Sequence, residues 1–125
     1  MGLEAGLSAS VELKVSDGDT AVALRSGDVL VLATPRVVAL CEEATIRAIN
    51  GHLPQDMTTV GMRVELDHVQ PTRVGSLVTA EATLKRVEGR RLTFNVSVVD
   101  PCGLVAAGKV TRVVVDRERF LDRAH

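Results

Sequence analysis

Apolar residues along this chain follow two periods. From Thr34 to Asn50 (TPRVVALCEEATIRAIN), Val37, Val38, Ala39, Leu40, Cys41, Ala44, Ile46, Ala48 and Ile49 point in nearly every direction of a 3.6-residue repeat. A helix that is apolar almost all round is a buried one. Thr34 stands where an N-cap is expected and Pro35 follows at the first helical position, where its missing N–H costs nothing. Asn50-Gly51 supplies the left-handed residue that ends a helix.

Beyond Asp56 the period is two, which predicts antiparallel strands. Met62, Val64, Leu66 and His68 share one phase against Arg63, Glu65 and Asp67, and Pro71 to Ser76 breaks the run. Val78, Ala80, Ala82 and Leu84 follow in phase, then a tight hairpin at Glu88-Gly89, then Leu92, Phe94, Val96 and Val98. Asp100-Pro101-Cys102-Gly103 reads as a type I turn before a last strand that carries Leu104, Ala106, Val110, Arg112 and Val114 in one phase. Ahead of the helix, residues 11–15 (VELKV) read as a strand, while 16–33 is open between strand, loop and a lid over a site. The tail from Asp116 is charged, with Phe120 and Leu121 as its anchors. These elements predict an α+β fold, one domain over residues 1–125, with four strands in a meander curled round a single helix. One small sheet does not cover so apolar a helix, and the meander leaves an edge open. Both features predict a homodimer, with pairing of dimers into tetramers left open.

Four polar residues interrupt apolar stretches, and they are not equivalent. Glu43 has Arg47 one turn on, as a solvated ion pair does. Glu42 has only Val38, Ala39, Thr45 and Ile46 as helical neighbours, so a carboxylate aimed inward there needs a distant partner or a function. His68 sits in the apolar phase of its strand, and Arg112 does the same on the last strand. A guanidinium so placed needs a carboxylate, and Glu42 is a candidate.

Composition narrows the partners. With a formal net charge of −1 and only two aromatics, Phe94 and Phe120, nothing favours nucleic acid. No apolar run nears membrane-spanning length and no basic-then-apolar leader opens the chain, so no membrane partner and a cytoplasmic location are expected. Cys41 and Cys102 suit reduced thiols, and no Cys or His pair has zinc-site spacing, so no metal is expected.

The stretch from Val60 to Leu84, VGMRVELDHVQPTRVGSLVTAEATL, resembles the strand–Pro–Gly–strand segment of hotdog thioesterases. More specifically, VLATPRVVALCEEATIRAI, TVGMRVELDH, EGRRLTF and GKVTRVVVDRERF resemble the fluoroacetyl-CoA thioesterase family over roughly residues 29–120. The resemblance implies a hotdog fold, a curved antiparallel sheet wrapped round one central helix. It also implies hydrolysis of a small acyl-CoA to free acid and CoA, with the CoA thioester as substrate and no cofactor. The family's catalytic Thr, Glu and His fall on Thr34, Glu42 and His68, and its implicated Gly and Arg, on the substrate-binding side, fall on Gly61 and Arg112. One departure stands out. Where the family's fluorine-selective member has phenylalanines before the helix, this chain has ALRSGDVL, so fluorine selectivity is not carried over and the acyl group is left open.

Each residue also has a plainer role. Thr34 places a hydroxyl at the positive end of the helix, and an ordinary cap would do the same. Glu42 would serve as base, or as nucleophile through an anhydride. His68 is the natural proton carrier near neutral pH, or else a satisfied core histidine. Gly61 would let backbone approach the substrate, or else mark a β-bulge. Eight residues of helix set Thr34 and Glu42 about 12 Å apart, so either His68 and the substrate bridge them or groups from two subunits meet, and a site at the dimer interface suits the fold better. Enoyl-thioester hydration is a rival chemistry, although the chain has no hydratase-like Asp-to-His spacing. A non-catalytic acyl-CoA-binding or regulatory module is a rival of another class.

Overall fold

A computed structural model describes residues 2–125. In chain order the elements are β1 (Ser8–Lys14), a 3₁₀ turn (Asp17–Asp19), α1 (Thr34–Ala48), β2 (Met57–His68), β3 (Leu77–Glu88), β4 (Arg91–Asp100), β5 (Gly103–Asp116) and α2 (Arg117–Asp122). The five strands make one antiparallel sheet in the order β1-β3-β4-β5-β2, which curls round α1 as a hotdog fold does.

Inward phases follow the sequence in the middle of the sheet. Val78, Ala80, Ala82 and Leu84 of β3, and Leu92, Phe94, Val96 and Val98 of β4, are all buried. They meet Val37, Leu40, Cys41, Ala44 and Ala48 of α1 in one continuous core. Fully burying a Val or Leu contributes about 1.5–3 kcal/mol, so this layer carries most of the fold's stability.

The expected four-strand meander is only three strands long, β3-β4-β5. β1 already pairs with the free edge of β3, Ser8 to Lys14 against Thr83 to Leu77, so β2 crosses over and adds to β5. Within β2 the phase expected for Met62 is also corrected. The register shifts between Gly61 and Arg63, a bulge at Met62 that turns this side chain outward while Gly61 faces the helix. Leu104, expected inside, is exposed and Val105 is buried in its place, because the β4–β5 register slips between Val98 and Val99, while Ala106 is buried as expected.

Helix α1 keeps the expected span, but its cap moves. Ala33 is the N-cap, without a side-chain bond, so Thr34 is the first helical residue and Pro35 the second. At the other end Gly51 takes the left-handed conformation, φ +83°. The helix is not covered all round: Thr34, Pro35, Ala39 and Ile46 are exposed, Ile46 by 50%, and they flank half-buried Val38 and Glu42. Residues 16–33 are turn and loop, tied down by short bridges from Thr20 to Leu32 and from Val31 to Arg73. In the tail, Phe120 and Leu121 are exposed on α2, and Asp116 caps that helix through the Arg119 amide. Among the described residues no helix is long and apolar enough to cross a membrane.

Candidate active site

The five residues singled out by the sequence gather into two groups, one at each end of α1's exposed stripe. At the start of the helix, Thr34 Oγ1 lies 2.8 Å from His68 Nδ1. The displaced cap explains this contact. A threonine at the N-cap turns its hydroxyl back onto its own helix, whereas Thr34, one position later, is free to meet the last residue of β2.

His68 Nε2 is buried and has no hydrogen-bond partner among the described residues. A buried ring nitrogen without a partner is costly unless something arrives to meet it. Which function is open depends on the tautomer. If Nδ1 accepts the Thr34 proton, the ring activates that hydroxyl and Nε2–H is a donor. If Nδ1–H donates to Thr34, Nε2 presents a lone pair to water or substrate. Burial pushes the His68 pKa below its ordinary value, and the nearby Gln70 backbone offsets only part of that. The imidazole is therefore neutral at pH 7 and competent as a base. Any reaction that uses His68 as its base should hold level through neutrality, and its kcat/KM should fall only as pH drops through a value below 6.5. A pH–rate profile with its acidic limb above 7 would contradict a neutral His68.

Thr34 and His68 line a cleft of about 340 Å³, walled by Ala21, Ser26, Gly27, Asp28, Val29 and Pro71 among others. Among the described residues no Phe, Tyr or Trp lines it. The loop that forms its outer wall is held to the helix by Asp19, whose carboxylate accepts from Arg36 Nε at 3.0 Å and from the Ser16 amide at 2.8 Å. Burial alone would raise the Asp19 pKa, but these bonds and the arginine charge outweigh it and hold the carboxyl below its usual range.

The second group lies further along the helix. Glu42 Oε2 is 3.4 Å from Arg112 Nη1, the distant partner that the apolar neighbours of Glu42 called for. Arg112 is only 5% exposed, and Thr59 takes two more of its donors: Nε to Thr59 Oγ1 at 2.9 Å and Nη2 to Thr59 O at 3.0 Å. Burial pushes the Arg112 pKa down, and the Glu42 charge pushes back. Gly61 stands opposite Arg112 in the sheet, and a methyl group built on it would overlap Glu42 Oε2. Gly61 borders a bulge, as its plainer reading expected, and its missing side chain leaves room for the Glu42 carboxylate. Thr59 escaped the sequence reading. Only the bulge at Met62 turns it to the helix side along with Gly61, and no periodicity announces a bulge. Glu43 pairs with Arg47 at 3.5 Å on the solvent side, as expected.

No hydrogen bond or ion pair joins the two groups among the described residues. Cys41 is no rival nucleophile: burial, with help from the Glu42 charge, pushes its thiol up to about 11. Among the described residues no three His, Cys, Asp or Glu side chains gather closely enough to hold a metal ion.

Comparison with known proteins bears on this arrangement. The family model described as fluoroacetyl-CoA-specific thioesterase matches residues 15–118. The fluoroacetyl-CoA thioesterase of Streptantibioticus cattleyicolor is 36% identical over 90 residues, which are 72% of this chain and 65% of that protein's length. A solved structure of a fluoroacetyl-CoA thioesterase superposes with a TM-score of 0.93 at 29% identity, covering 98% of this chain and 96% of that one. A hot-dog-like protein from Thermanaerovibrio acidaminovorans superposes with a TM-score of 0.89 at 30% identity, covering 97% and 90%.

Proposed function

This chain belongs to the fluoroacetyl-CoA-specific thioesterase family, and on that premise we propose that it hydrolyses a small acyl-CoA to the free acid and CoA in a site completed by a second copy of the chain. The observation that carries the reading is the Thr34–His68 pair at 2.8 Å, set in a cleft and leaving a buried His68 Nε2 without a partner. Hydrolysis needs water or a hydroxyl to lose a proton as it attacks the thioester carbonyl, and a positive dipole where the oxyanion develops. A neutral His68 takes the proton, and the start of α1 supplies the dipole. Glu42 is the carboxylate of the site, as base or as nucleophile, and Arg112 and Gly61 set its position. No cofactor is needed, because the thioester itself is the activated group.

Two features support the homodimer. The exposed apolar stripe of α1 and the long unpaired edge of β2 both lie on the side of the sheet where a second copy would add. If two β2 strands pair antiparallel about their middles, Gly61 and Glu42 of one chain come nearer the partner's His68 than their own. The two groups that one chain keeps apart then face each other. Light scattering should return at least twice the 13.3 kDa chain mass. A folded, active monomer would remove the shared site.

Thiol release from a panel of acyl-CoA esters tests the reaction. Binding of acyl-CoA without any release would favour the non-catalytic module instead. The same panel tests the cleft. Without aromatic walls it has little to grip the α-carbon, and apolar contacts separate acyl groups by only about 1–3 kcal/mol per methylene-sized difference. The kcat/KM values for acetyl- and fluoroacetyl-CoA should therefore differ by no more than about 200-fold, with butyryl- or phenylacetyl-CoA accepted comparably or better. A preference of several thousand-fold for fluoroacetyl-CoA would show that fluorine selectivity needs no aromatic lid. The reading goes with a cytoplasmic location, in keeping with two unpaired cysteines.

A further inference from the structure

At the opposite end of the sheet from His68, a cleft of about 400 Å³ opens between the β3–β4 hairpin and α2. Arg90, Arg119 and Arg123 surround it, and Met57, Val115 and Phe120 supply its apolar wall. All three arginines are exposed, and among the described residues none forms an ion pair. Asp116 also borders the cleft, but one of its oxygens accepts the Arg119 amide at 3.1 Å as the cap of α2. Phe120 is 40% exposed, and since the chain's other phenylalanine, Phe94, is fully buried, the one phenyl ring at the surface sits among three guanidiniums that form no ion pair among the described residues. The frame is held by backbone bonds: Val114 N donates to Arg90 O at 2.8 Å, and Arg117 N to Asp56 O at 3.0 Å.

Guanidiniums suit phosphate oxygens, and an exposed ring beside them suits the face of a base. We infer that this cleft binds an adenine nucleotide bearing several phosphates, specifically the 3′-phospho-ADP end of the CoA whose acyl group is cleaved in the partner's cleft. The inference rests on the acyl-CoA hydrolase reading for its choice of nucleotide. Topology supports the crossing between subunits. Within one chain the Met57 and His68 ends of β2 are separated by roughly 36 Å of extended strand, farther than the arm joining thioester to nucleotide reaches. Antiparallel pairing of two β2 edges brings the Met57 end of one chain beside the partner's His68.

The test uses the whole protein and two probes. Adenosine 3′,5′-bisphosphate, titrated calorimetrically, should bind the parent protein at least about tenfold more tightly than the Arg119→Gln/Arg123→Gln double variant, and more tightly than ATP. In turnover, that variant should raise KM for an acyl-CoA by about tenfold with kcat little changed, and the loss should be confined to the substrate that carries the nucleotide, sparing the matching acyl-pantetheine. Arg86→Gln, which removes an exposed arginine paired with Glu88 outside the cleft, controls for the loss of positive charge. Equal affinity of parent and variant for the bisphosphate, or a KM defect that also appears with acyl-pantetheine, would overturn the inference. ATP binding as tightly as the bisphosphate would overturn the assignment to CoA and mark a site for free nucleotides. If no thioester is cleaved at all, the functional reading fails while the calorimetric comparison still decides the cleft.

Discussion

Glu42→Gln should remove nearly all acyl-CoA hydrolysis, about 10²–10⁴-fold in kcat/KM, the usual contribution of a positioned acid or base. Glutamine keeps the shape of the side chain and one hydrogen bond to Arg112, but it carries no negative charge and no basic oxygen. The fold should tolerate the change. Removing one partner of a fully buried pair costs about 3–5 kcal/mol, but 33% of the Glu42 side chain is exposed and two bonds from Arg112 to Thr59 remain, so the actual cost is well below that range. Glu43→Gln loses only a solvent-side pair with Arg47 at 3.5 Å and should stay within a few-fold of the parent. Assaying both variants for thiol release, with a thermal melt of each, separates the two acids. Equal losses at both positions would mean that the carboxylate facing Arg112 has no special part in the reaction.

Gly61→Ala should be the most damaging small substitution in β2. The new methyl would occupy the space of Glu42 Oε2, with Arg112 Nη1 only 3.7 Å from it. Gly61 does not take a left-handed φ, so alanine suits the backbone and the conflict is with the carboxylate alone. Glu42 is long enough to swing aside, which spares the fold but takes the charge away from Arg112. The expected result is a loss of about 100-fold in kcat/KM with a melting temperature only a few degrees lower, about 1 kcal/mol in a chain of this size. A variant that hydrolyses acyl-CoA at close to the parent rate would show that the carboxylate's position against Gly61 is unimportant. Collapse of the melting temperature would instead make Gly61 a residue of the fold.

How much of this was legible beforehand varies with the range of the interaction. The span of α1, the inward phases of β3 and β4, and the presence of Glu42, His68 and Arg112 on apolar faces all follow from the sequence by itself. Those features are local: a side chain's direction in a helix or strand depends on its neighbours a few residues away, so an apolar period records which face is buried. The Glu42–Arg112 pair was legible as a candidate for the same reason, since each inward charge called for an opposite one, but its distance and the bonds from Arg112 to Thr59 were not.

Tertiary structure alone decided the rest. Backbone N–H and C=O groups are alike in every residue, so the sequence does not say that β1 takes the edge of β3 and sends β2 across to β5. A bulge shifts the phase of every residue on one side of it, which is why Met62 turns out while Thr59 and Gly61 turn in. A cap one residue away from its expected position frees the Thr34 hydroxyl for His68. Periodicity tells which side chains face inward. Which of them meet depends on strand pairing and register, set by hydrogen bonds between backbone groups far apart in the chain.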